Sequence, residues 1–369
     1  MARRYFTKRL DWPLAIASAL LLGVGLLILF AINFRDPALA QGFNPWRQVF
    51  HALVGMTLLV AVARTDYRLW FRLGRYWYVI GLGLLMLVFL FGKTVQGATR
   101  AIDLGLLQFQ PAEFIKLGII FILAWLFASR YEHLKQLRYL LASMVLVAVP
   151  AVLIMLQPDL GSSLVIGFIW VVMILVSNAN KVHVAIIIGL VVALTPIVLA
   201  QLKPYQRERL QTFLNPGQDP QGAGYNVLQS TIAVGSGRWF GKGLGSGTQS
   251  QLNFLPSQQT DFVFAVLAEK LGFFGAILTL ALFATLLSRG VIIAWRAHDR
   301  FGMAVASGIT ALFLFHVLIN IGMNLGIVPV TGIPLPLLSY GGTNLIISLV
   351  AIGLLESIAI YRKDLEFGK

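Results

Sequence analysis

Ten apolar runs, each about as long as a membrane-crossing helix, constrain this chain of 369 residues more than any other feature. A helix needs roughly 20 largely apolar residues to cross the hydrocarbon core, and its backbone groups must be hydrogen-bonded within the protein. The sequence therefore predicts an all-α polytopic membrane protein with about ten transmembrane helices. The predicted spans are Trp12–Ile32, Trp46–Ala63, Tyr76–Gly92, Ala112–Ala128, Leu137–Leu156, Ser162–Val176, His183–Leu202, Phe262–Leu287, Met303–Val328 and Leu338–Ile360.

The composition agrees with a protein that has the bilayer as its solvent. Apolar residues make up 58% of the chain and charged residues 12%, whereas soluble domains carry about 25% charged residues. The runs lack the two-residue alternation of outer-membrane barrel strands. We therefore expect residues 1–369 to form a single integral-membrane domain, with one long non-membrane loop at about residues 203–260.

The distribution of basic residues predicts the orientation. Most of the 29 Lys and Arg residues lie on the side of the membrane that holds the N-terminus. Cytoplasmic segments are enriched in Lys and Arg, so we expect both termini in the cytoplasm and the 203–260 loop outside. The net charge of +14 then reflects topology and does not indicate nucleic-acid binding. The absence of cysteine excludes disulfides and thiol chemistry.

Asp261 is the main candidate for chemistry. It lies where the long outer loop meets the eighth predicted span. A carboxylate at a membrane face, beside a loop rich in glycine and basic side chains, is placed to act on a lipid-linked substrate.

Two further charged positions start predicted spans. Glu113 and Lys116 open the fourth span, and their spacing places both on one helical face. They are candidates for substrate binding, or they form a structural ion pair only. Asp159 precedes the sixth span and is either a substrate contact or a helix N-cap.

Polar residues also occur within the spans, where they are costly and indicate function by default. Glu269 and Lys270 lie inside the eighth predicted span and require a polar environment within the protein. His316, Asn320 and Asn324 recur every four residues in the ninth span, which predicts hydrogen bonding between helices. His316 has no neighbours with metal-ligand spacing.

Basic residues of the outer segments are candidates for holding phosphate. These are Arg100 before the fourth span and Arg207, Arg209 and Lys242 in the long loop. Glycines between 235 and 247 would allow a bound group to approach the backbone closely. The alternatives are a flexible, solvated loop and, for Arg100, an ordinary surface charge. A Walker motif is absent.

The segment Val328–Asn344 is apolar but contains three prolines and three glycines. It cannot be one straight helix. Irregular backbone at membrane depth must be buried in protein or line a cavity. We therefore expect a cavity here, with Ser339 and Tyr340 as candidate substrate contacts.

Five motifs occur in order along the chain. They are Phe109-Gln-Pro-Ala-Glu113, Gln157-Pro-Asp-Leu-Gly161, Asp219-Pro-Gln-Gly-Ala-Gly-Tyr225, Leu255-Pro-Ser-Gln-Gln-Thr-Asp261 and Gly332-Ile-Pro-Leu-Pro-Leu-Leu-Ser-Tyr-Gly-Gly342. Together they resemble the SEDS proteins (shape, elongation, division and sporulation), from about residue 10 to 362. The segments Gly222–Tyr225 and Gly247–Leu252 are more similar to the elongation members than to the division members.

The resemblance implies a peptidoglycan glycosyltransferase that polymerises lipid II on the outer face of the bacterial plasma membrane. It implies a class B penicillin-binding protein as transpeptidase partner, besides the growing glycan strand and membrane lipid. The family's essential aspartate corresponds to Asp261, which we expect to be the general base. Its other motif residues correspond to Glu113, Lys116 and Asp159. The basic candidates above, or a divalent cation such as Mg²⁺ or Mn²⁺, would stabilise the pyrophosphate leaving group.

The motif before Asp261 departs from the common family form. Ser257 stands in place of a glutamate and Gln259 in place of a histidine, which removes two titratable neighbours. Two other functions stay open at this point. Ten helices and intramembrane charges also suit a flippase for a lipid-linked sugar, although the polar elements cluster on the outer side and not at the midplane. The third possibility is a non-catalytic scaffold for a penicillin-binding protein.

Overall fold

Helices form nearly all of the regular structure. The computed structural model describes residues 9–33, 44–91, 93–95, 98–103, 108–200, 211–213, 223–252 and 254–362. The helices are α1 (Trp12–Asn33), α2 (Pro45–Arg64), α3 (Leu69–Phe91), α4 (Pro111–Ser129), α5 (Leu137–Leu156), α6 (Leu160–Val176), α7 (Lys181–Ala200), α8 (Ala223–Ser236), α9 (Thr248–Gln251), α10 (Val263–Trp295), α11 (Arg300–Asn324) and α12 (Gly342–Tyr361). A 3₁₀ turn, Tyr131–His133, follows α4.

The number of apolar helices agrees with the sequence prediction. Within the described residues, eight helices are long and apolar enough to cross a membrane, namely α1 to α5 and α10 to α12. Two shorter apolar helices are α6 and the part Lys181–Leu190 of α7. The prediction of an all-α polytopic protein is confirmed. The orientation stays a prediction, because both chain ends and much of the long loop lie outside the described residues.

Two predicted span starts differ clearly from the structure. Helix α3 begins at Leu69 and not near Tyr76. Arg72 and Arg75 lower the hydropathy of its first turns, but arginine is a good helix former, so the helix continues through them. The predicted tenth span also starts too early, because Ser339 and its neighbours precede the first turn of α12 at Gly342.

Three helices form the centre of the bundle. In the apolar windows of α4, α11 and α12, 78%, 72% and 94% of the residues are buried, against 28% in each of α2, α3 and α5. Helix α11 packs against α4, α6 and α10, and α12 packs against α2. The polar residues of α4 and α11 are therefore enclosed by protein, whereas α2, α3 and α5 present apolar side chains outward, as a bilayer requires.

A small antiparallel sheet, which the sequence prediction lacked, precedes α4. Its strands β1 (Lys93–Val95), β2 (Ala98–Asp103) and β3 (Gln108–Phe109) pair in that order. The Thr343 hydroxyl donates to the carbonyl of Gln108 at 2.7 Å and accepts from the amide of Gln110 at 3.1 Å. These bonds fix the entry to α4 against the start of α12.

Helix α10 is broken at Gly272, where φ is +69° and ψ is −165°. The break leaves two carbonyls and two amides without their usual partners four residues away, and the turn between α8 and α9 pairs all of them. The bonds are Lys242 N to Glu269 O (3.0 Å), Gly243 N to Lys270 O (3.0 Å), Phe273 N to Arg238 O (2.8 Å) and Phe274 N to Trp239 O (3.2 Å). All four backbone groups at the break are thus hydrogen-bonded, as buried backbone groups are in folded proteins.

This break corrects the predicted eighth span. The part of α10 after the break, residues 273–295, is about 34 Å long at 1.5 Å per residue, enough to cross the hydrocarbon core alone. Glu269 and Lys270 precede the break. They therefore do not lie within the membrane-crossing part of α10, as they would in one continuous helix that began at Phe262. Aromatic side chains gather at the break: Trp239, Phe240, Phe273 and Phe274 are all exposed and in mutual ring contact.

Candidate active site

Asp261 is fixed through its backbone. Its carbonyl accepts hydrogen bonds from the side-chain amides of Asn320 and Asn324, each at 3.0 Å. The Asn324 side-chain oxygen accepts from the amide of Ala265 at 2.9 Å, in the first turn of α10. Both asparagines are fully buried on α11. The predicted polar stripe of α11 therefore positions the start of α10 and the half-buried aspartate before it.

The broken segment between α11 and α12, residues 328–341, lies against Asp261. Gly332 has φ +73°, and a Cβ placed on it would lie 3.7 Å from the Asp261 Oδ2 atom. Asn320 also donates to the carbonyl of Ile333 at 2.8 Å. Gly332 is exposed and Asp261 is half-buried, so the Asp261 carboxylate and the Gly332 backbone come close near the protein surface.

Ser339 and Tyr340 join the broken segment to the residues before Asp261. The buried Ser339 hydroxyl donates to the carbonyl of Thr260 at 2.6 Å and accepts from the amide of Leu335 at 2.8 Å. The Tyr340 amide donates to the carbonyl of Gln259 at 2.8 Å. Ser339 is therefore a buried structural link between the two segments, and the Tyr340 ring beside it is half-buried.

Sequence reasoning missed Gln48 of α2. Its side-chain amide donates to the carbonyl of Ser339 at 3.1 Å, and its side-chain oxygen accepts from the amide of Gly341 at 3.2 Å. Gln48 is 1% exposed. The signal was present, since a glutamine in the first turns of an apolar span needs a polar partner in the protein.

Glu113 and Lys116 form a buried pair in the first turns of α4. Lys116 Nζ lies 2.7 Å from Glu113 Oε1 and 3.2 Å from His316 Nε2, and His316 Nδ1 lies 3.1 Å from the carbonyl of Pro334. Glu113 and Lys116 are 3% and 1% exposed. The ion pair is thus connected through His316 to the same broken segment that borders Asp261.

Asp159 caps helix α6. Its carboxylate accepts from the amide and the hydroxyl of Ser162, at 3.0 and 2.9 Å. Gly161 packs so tightly on the broken segment that a Cβ there would lie 3.0 Å from the carbonyl of Thr331. The capping interpretation of Asp159 is observed, and its helix start also lies beside the segment that carries Gly332.

Lys242 pairs with a carboxylate of α10. Its Nζ lies 3.3 Å from Glu269 Oε1, and the two carboxylate oxygens of Glu269 also accept from the amides of Gln249 and Ser250 at 3.0 Å. Lys270 Nζ donates to the carbonyl of Leu244 at 2.9 Å. Glu269 is therefore paired with Lys242, and Lys270 is hydrogen-bonded to the loop between α8 and α9. The loop and α9 supply the polar environment that the sequence required.

Two glycines of that loop lie in close contact with the backbone of α10. A Cβ on Gly237 would lie 2.0 Å from the carbonyl of Ala268, and one on Gly241 would lie 2.2 Å from that of Lys270. These glycines allow the loop to pack on α10. Of the remaining phosphate candidates, Arg100 is described only by its backbone in β2, and Arg207 and Arg209 lie outside the described residues.

Comparisons with known proteins identify the family of the chain. Residues 12–364 match the FtsW/RodA/SpoVE family, described as cell cycle proteins. The chain is 37% identical to the peptidoglycan glycosyltransferase MrdB of Escherichia coli K12 over 97% of this chain and 95% of that protein. It is also 37% identical to stage V sporulation protein E of Bacillus subtilis, over 96% and 98% of the two chains.

Solved structures show the same fold. One chain from a peptidoglycan synthase complex, studied for its coordination of polymerization and crosslinking, matches with a TM-score of 0.80 at 32% identity and covers 96% of this chain and 99% of its own. The rod shape determining protein RodA of Thermus thermophilus matches with a TM-score of 0.72 at 28% identity, over 96% and 98%. The chain therefore belongs to the FtsW/RodA/SpoVE family, the SEDS family that its motifs resemble.

Proposed function

We propose that this multi-pass membrane protein is a peptidoglycan glycosyltransferase of cell elongation and cell-shape maintenance that polymerises lipid II into β-1,4 glycan strands. Family membership over residues 12–364 and relatives named as peptidoglycan glycosyltransferases support the activity. One observation supports the choice of site above the others: two buried asparagines fix the Asp261 backbone while its carboxylate lies against the exposed Gly332.

Asp261 then acts as the general base. The GlcNAc hydroxyl of the acceptor is a weak nucleophile, and Asp261 accepts its proton as the oxygen attacks the anomeric carbon of the donor. The bond from that carbon to the undecaprenyl pyrophosphate breaks, and its electron pair leaves with the pyrophosphate. Direct displacement inverts the anomeric centre, so an α-linked donor yields a β-linked product.

The buried pair of Glu113 and Lys116 is better suited to positioning than to direct contact with substrate. Both side chains are buried. Lys116 contacts His316, which in turn contacts the carbonyl of Pro334 in the broken segment. Direct contact of Glu113, Lys116, Asp159, Ser339 or Tyr340 with lipid II stays a prediction, as do the phosphate contacts of Arg100, Arg207, Arg209 and Lys242.

A divalent cation such as Mg²⁺ or Mn²⁺ would add positive charge at the leaving pyrophosphate. Among the described residues, no group of three or more His, Cys, Asp or Glu side chains could hold a metal. Mg²⁺ is commonly bound by one or two carboxylates together with substrate phosphates. A cation at this site would accordingly be held by Asp261 and the pyrophosphate together.

A class B penicillin-binding protein is the proposed partner. The chain's match to a component of a peptidoglycan synthase complex that polymerises and crosslinks supports this pairing. The active site is proposed to face the outside of the plasma membrane, because the excess of Lys and Arg lies on the other side.

The test is polymerisation of purified lipid II by the chain reconstituted with its penicillin-binding protein. Wild type should form glycan polymer, and Asp261→Asn, which keeps the shape but not the base, should form none. Glu132→Gln is the matched control, because Glu132 is a largely exposed carboxylate on the opposite face. Polymer from Asp261→Asn would make the base assignment wrong, and no polymer from wild type would make the function wrong.

A further inference from the structure

A cavity at the opposite end of the bundle from Asp261 is lined by three arginines. It has a volume of 760 Å³ and lies between the start of α3, the end of α4 and the connection from α10 to α11. Helix α11 leads from this cavity, at Arg300, to Asn324 beside Asp261, a distance of roughly 36 Å at 1.5 Å per residue. The cavity is therefore separate from the site already described.

The acidic residue in the cavity wall is engaged by its neighbours. Asp299 accepts hydrogen bonds from the Tyr67 hydroxyl and, at 2.7 Å, from the amide of Gly302 at the start of α11. Arg68 Nε lies 3.6 Å from Oδ2 of the same carboxylate, the oxygen that also accepts from the Tyr67 hydroxyl. Asp299 therefore neutralises Arg68 and caps the helix terminus. It does not pair with the other two arginines of the cavity.

Those two arginines, Arg72 and Arg300, keep their charge for a ligand. In the part of the chain that the structure describes, no carboxylate lies within salt-bridge distance of Arg72. Arg300 is 3.6 Å from Glu132, but the side chains are 52% and 74% exposed, and such surface pairs contribute little. The Arg300 guanidinium lies 3.4 Å above the Tyr131 ring, which holds it in place without neutralising it.

The cavity wall includes aromatic side chains, and its Arg72 lies on the outward side of α3. Phe71 and Phe301 are in edge-to-face contact at 5.4 Å. Arg72 shares a helical face with Leu69 and Tyr76, which are 48% and 58% exposed and, in an outer helix of the bundle, face the bilayer. A ligand can therefore enter sideways from the membrane as well as from solution.

We propose that this cavity binds a phosphate-bearing anion, and its lateral opening favours the headgroup of an anionic membrane lipid over phosphate free in solution. The planar guanidinium group matches phosphate geometry, and basic pockets between transmembrane helices on the cytoplasmic side bind anionic headgroups. The topology rule alone requires arginines on this side of the membrane. It does not require three of them to converge on one cavity.

The test compares lipid binding by the full chain and by charge variants. Each protein is reconstituted in phosphatidylcholine nanodiscs, and binding of a fluorescent phosphatidylglycerol is measured. Arg72→Gln should weaken binding about fivefold, which corresponds to roughly 1 kcal/mol for one arginine near a charged membrane surface. The double variant Arg72→Gln with Arg300→Gln should weaken it further. Arg75→Gln is the matched control, because Arg75 lies one turn further along α3, above the Tyr76 ring and outside the cavity.

A second arm separates the two sources of phosphate. Inorganic pyrophosphate is titrated against the same proteins in pure phosphatidylcholine. Binding of phosphatidylglycerol that depends on Arg72 but not on Arg75 supports a lipid site, and pyrophosphate binding with the same dependence supports a site for a soluble phosphate. The proposal is overturned if neither probe binds, or if Arg72→Gln and Arg75→Gln have equal effects. Neither arm measures glycan synthesis, so its result is independent of the proposed activity.

Discussion

Asn320 and Asn324, on successive turns of α11, both donate to the backbone carbonyl of Asp261 at 3.0 Å. Both bonds are made to the main chain of Asp261 and not to its carboxylate. A general base works only where its carboxylate meets the reacting hydroxyl within hydrogen-bond distance. The two asparagines are therefore expected to act as positioning residues for Asp261.

Replacing Asn320 by alanine should lower glycan polymerisation at least about tenfold, since small displacements of a catalytic group are costly. It should also destabilise the protein by about 1–3 kcal/mol, because the carbonyl of Ile333 loses a buried partner. Polymerisation kinetics would show a fall in kcat with little change in KM for lipid II. The control is Ser307→Ala on the same helix, whose hydroxyl bonds only within α11. Unchanged kcat in Asn320→Ala would contradict the positioning role.

Lys116→Ala should be among the most destabilising single changes in α4. It leaves Glu113 as a buried carboxylate without its cation, and such losses cost about 3–5 kcal/mol. The double variant Glu113→Gln with Lys116→Met removes both charges and should recover most of the stability. Thermal unfolding in detergent would measure both. If the single variant is as stable as wild type, the pair does not serve as a structural ion pair, and a direct substrate role becomes the better explanation.

The sequence predicted the spans and singled out Asp261 for clear physical reasons. A bilayer allows only helices with long apolar runs, so their number can be read from hydropathy. Asp261 was recognisable because a carboxylate at the end of an apolar helix needs an explanation, and because its motif resembles a known family. The polar stripe of His316, Asn320 and Asn324 also pointed correctly to hydrogen bonds between segments.

Features that depend on distant pairing could not be read from the sequence. Glycine is common within transmembrane helices, so nothing local distinguishes Gly272 from a harmless glycine. The break becomes visible only when the turn at Arg238–Gly243 supplies the four missing hydrogen bonds. Gln48 and Ser339 are separated by 291 positions, and their contact likewise depends on the folded bundle. Hydropathy indicates which segments form helices in the membrane, but it does not indicate which of their polar groups form hydrogen bonds with one another.

Gly272→Ala should fail to fold or lose several kcal/mol of stability. A positive φ with ψ near 180° is adopted almost only by glycine and costs other residues about 1–3 kcal/mol. The added carbon would also lie 2.2 Å from the amide nitrogen of Gly241. Gly167→Ala is the matched control, since Gly167 lies in α6 with no atom within 4 Å of its added carbon. That change should be neutral or slightly stabilising. Expression and monodispersity on size exclusion would show the difference, and a well-folded Gly272→Ala would refute the break as described.

Gln48→Leu should uncouple α2 from the broken segment without altering any ionisable group. The change leaves the carbonyl of Ser339 and the amide of Gly341 without their partner, at about 1–3 kcal/mol for each buried group. Because Ser339 also bonds to Thr260 next to Asp261, polymerisation should fall together with stability. Thr57→Ala is the control on the same helix, as its exposed hydroxyl bonds only to Leu53 of α2. Thermal unfolding and lipid II polymerisation measured side by side test the link, and full activity in a destabilised Gln48→Leu protein would show that α2 supports the fold but not the position of Asp261.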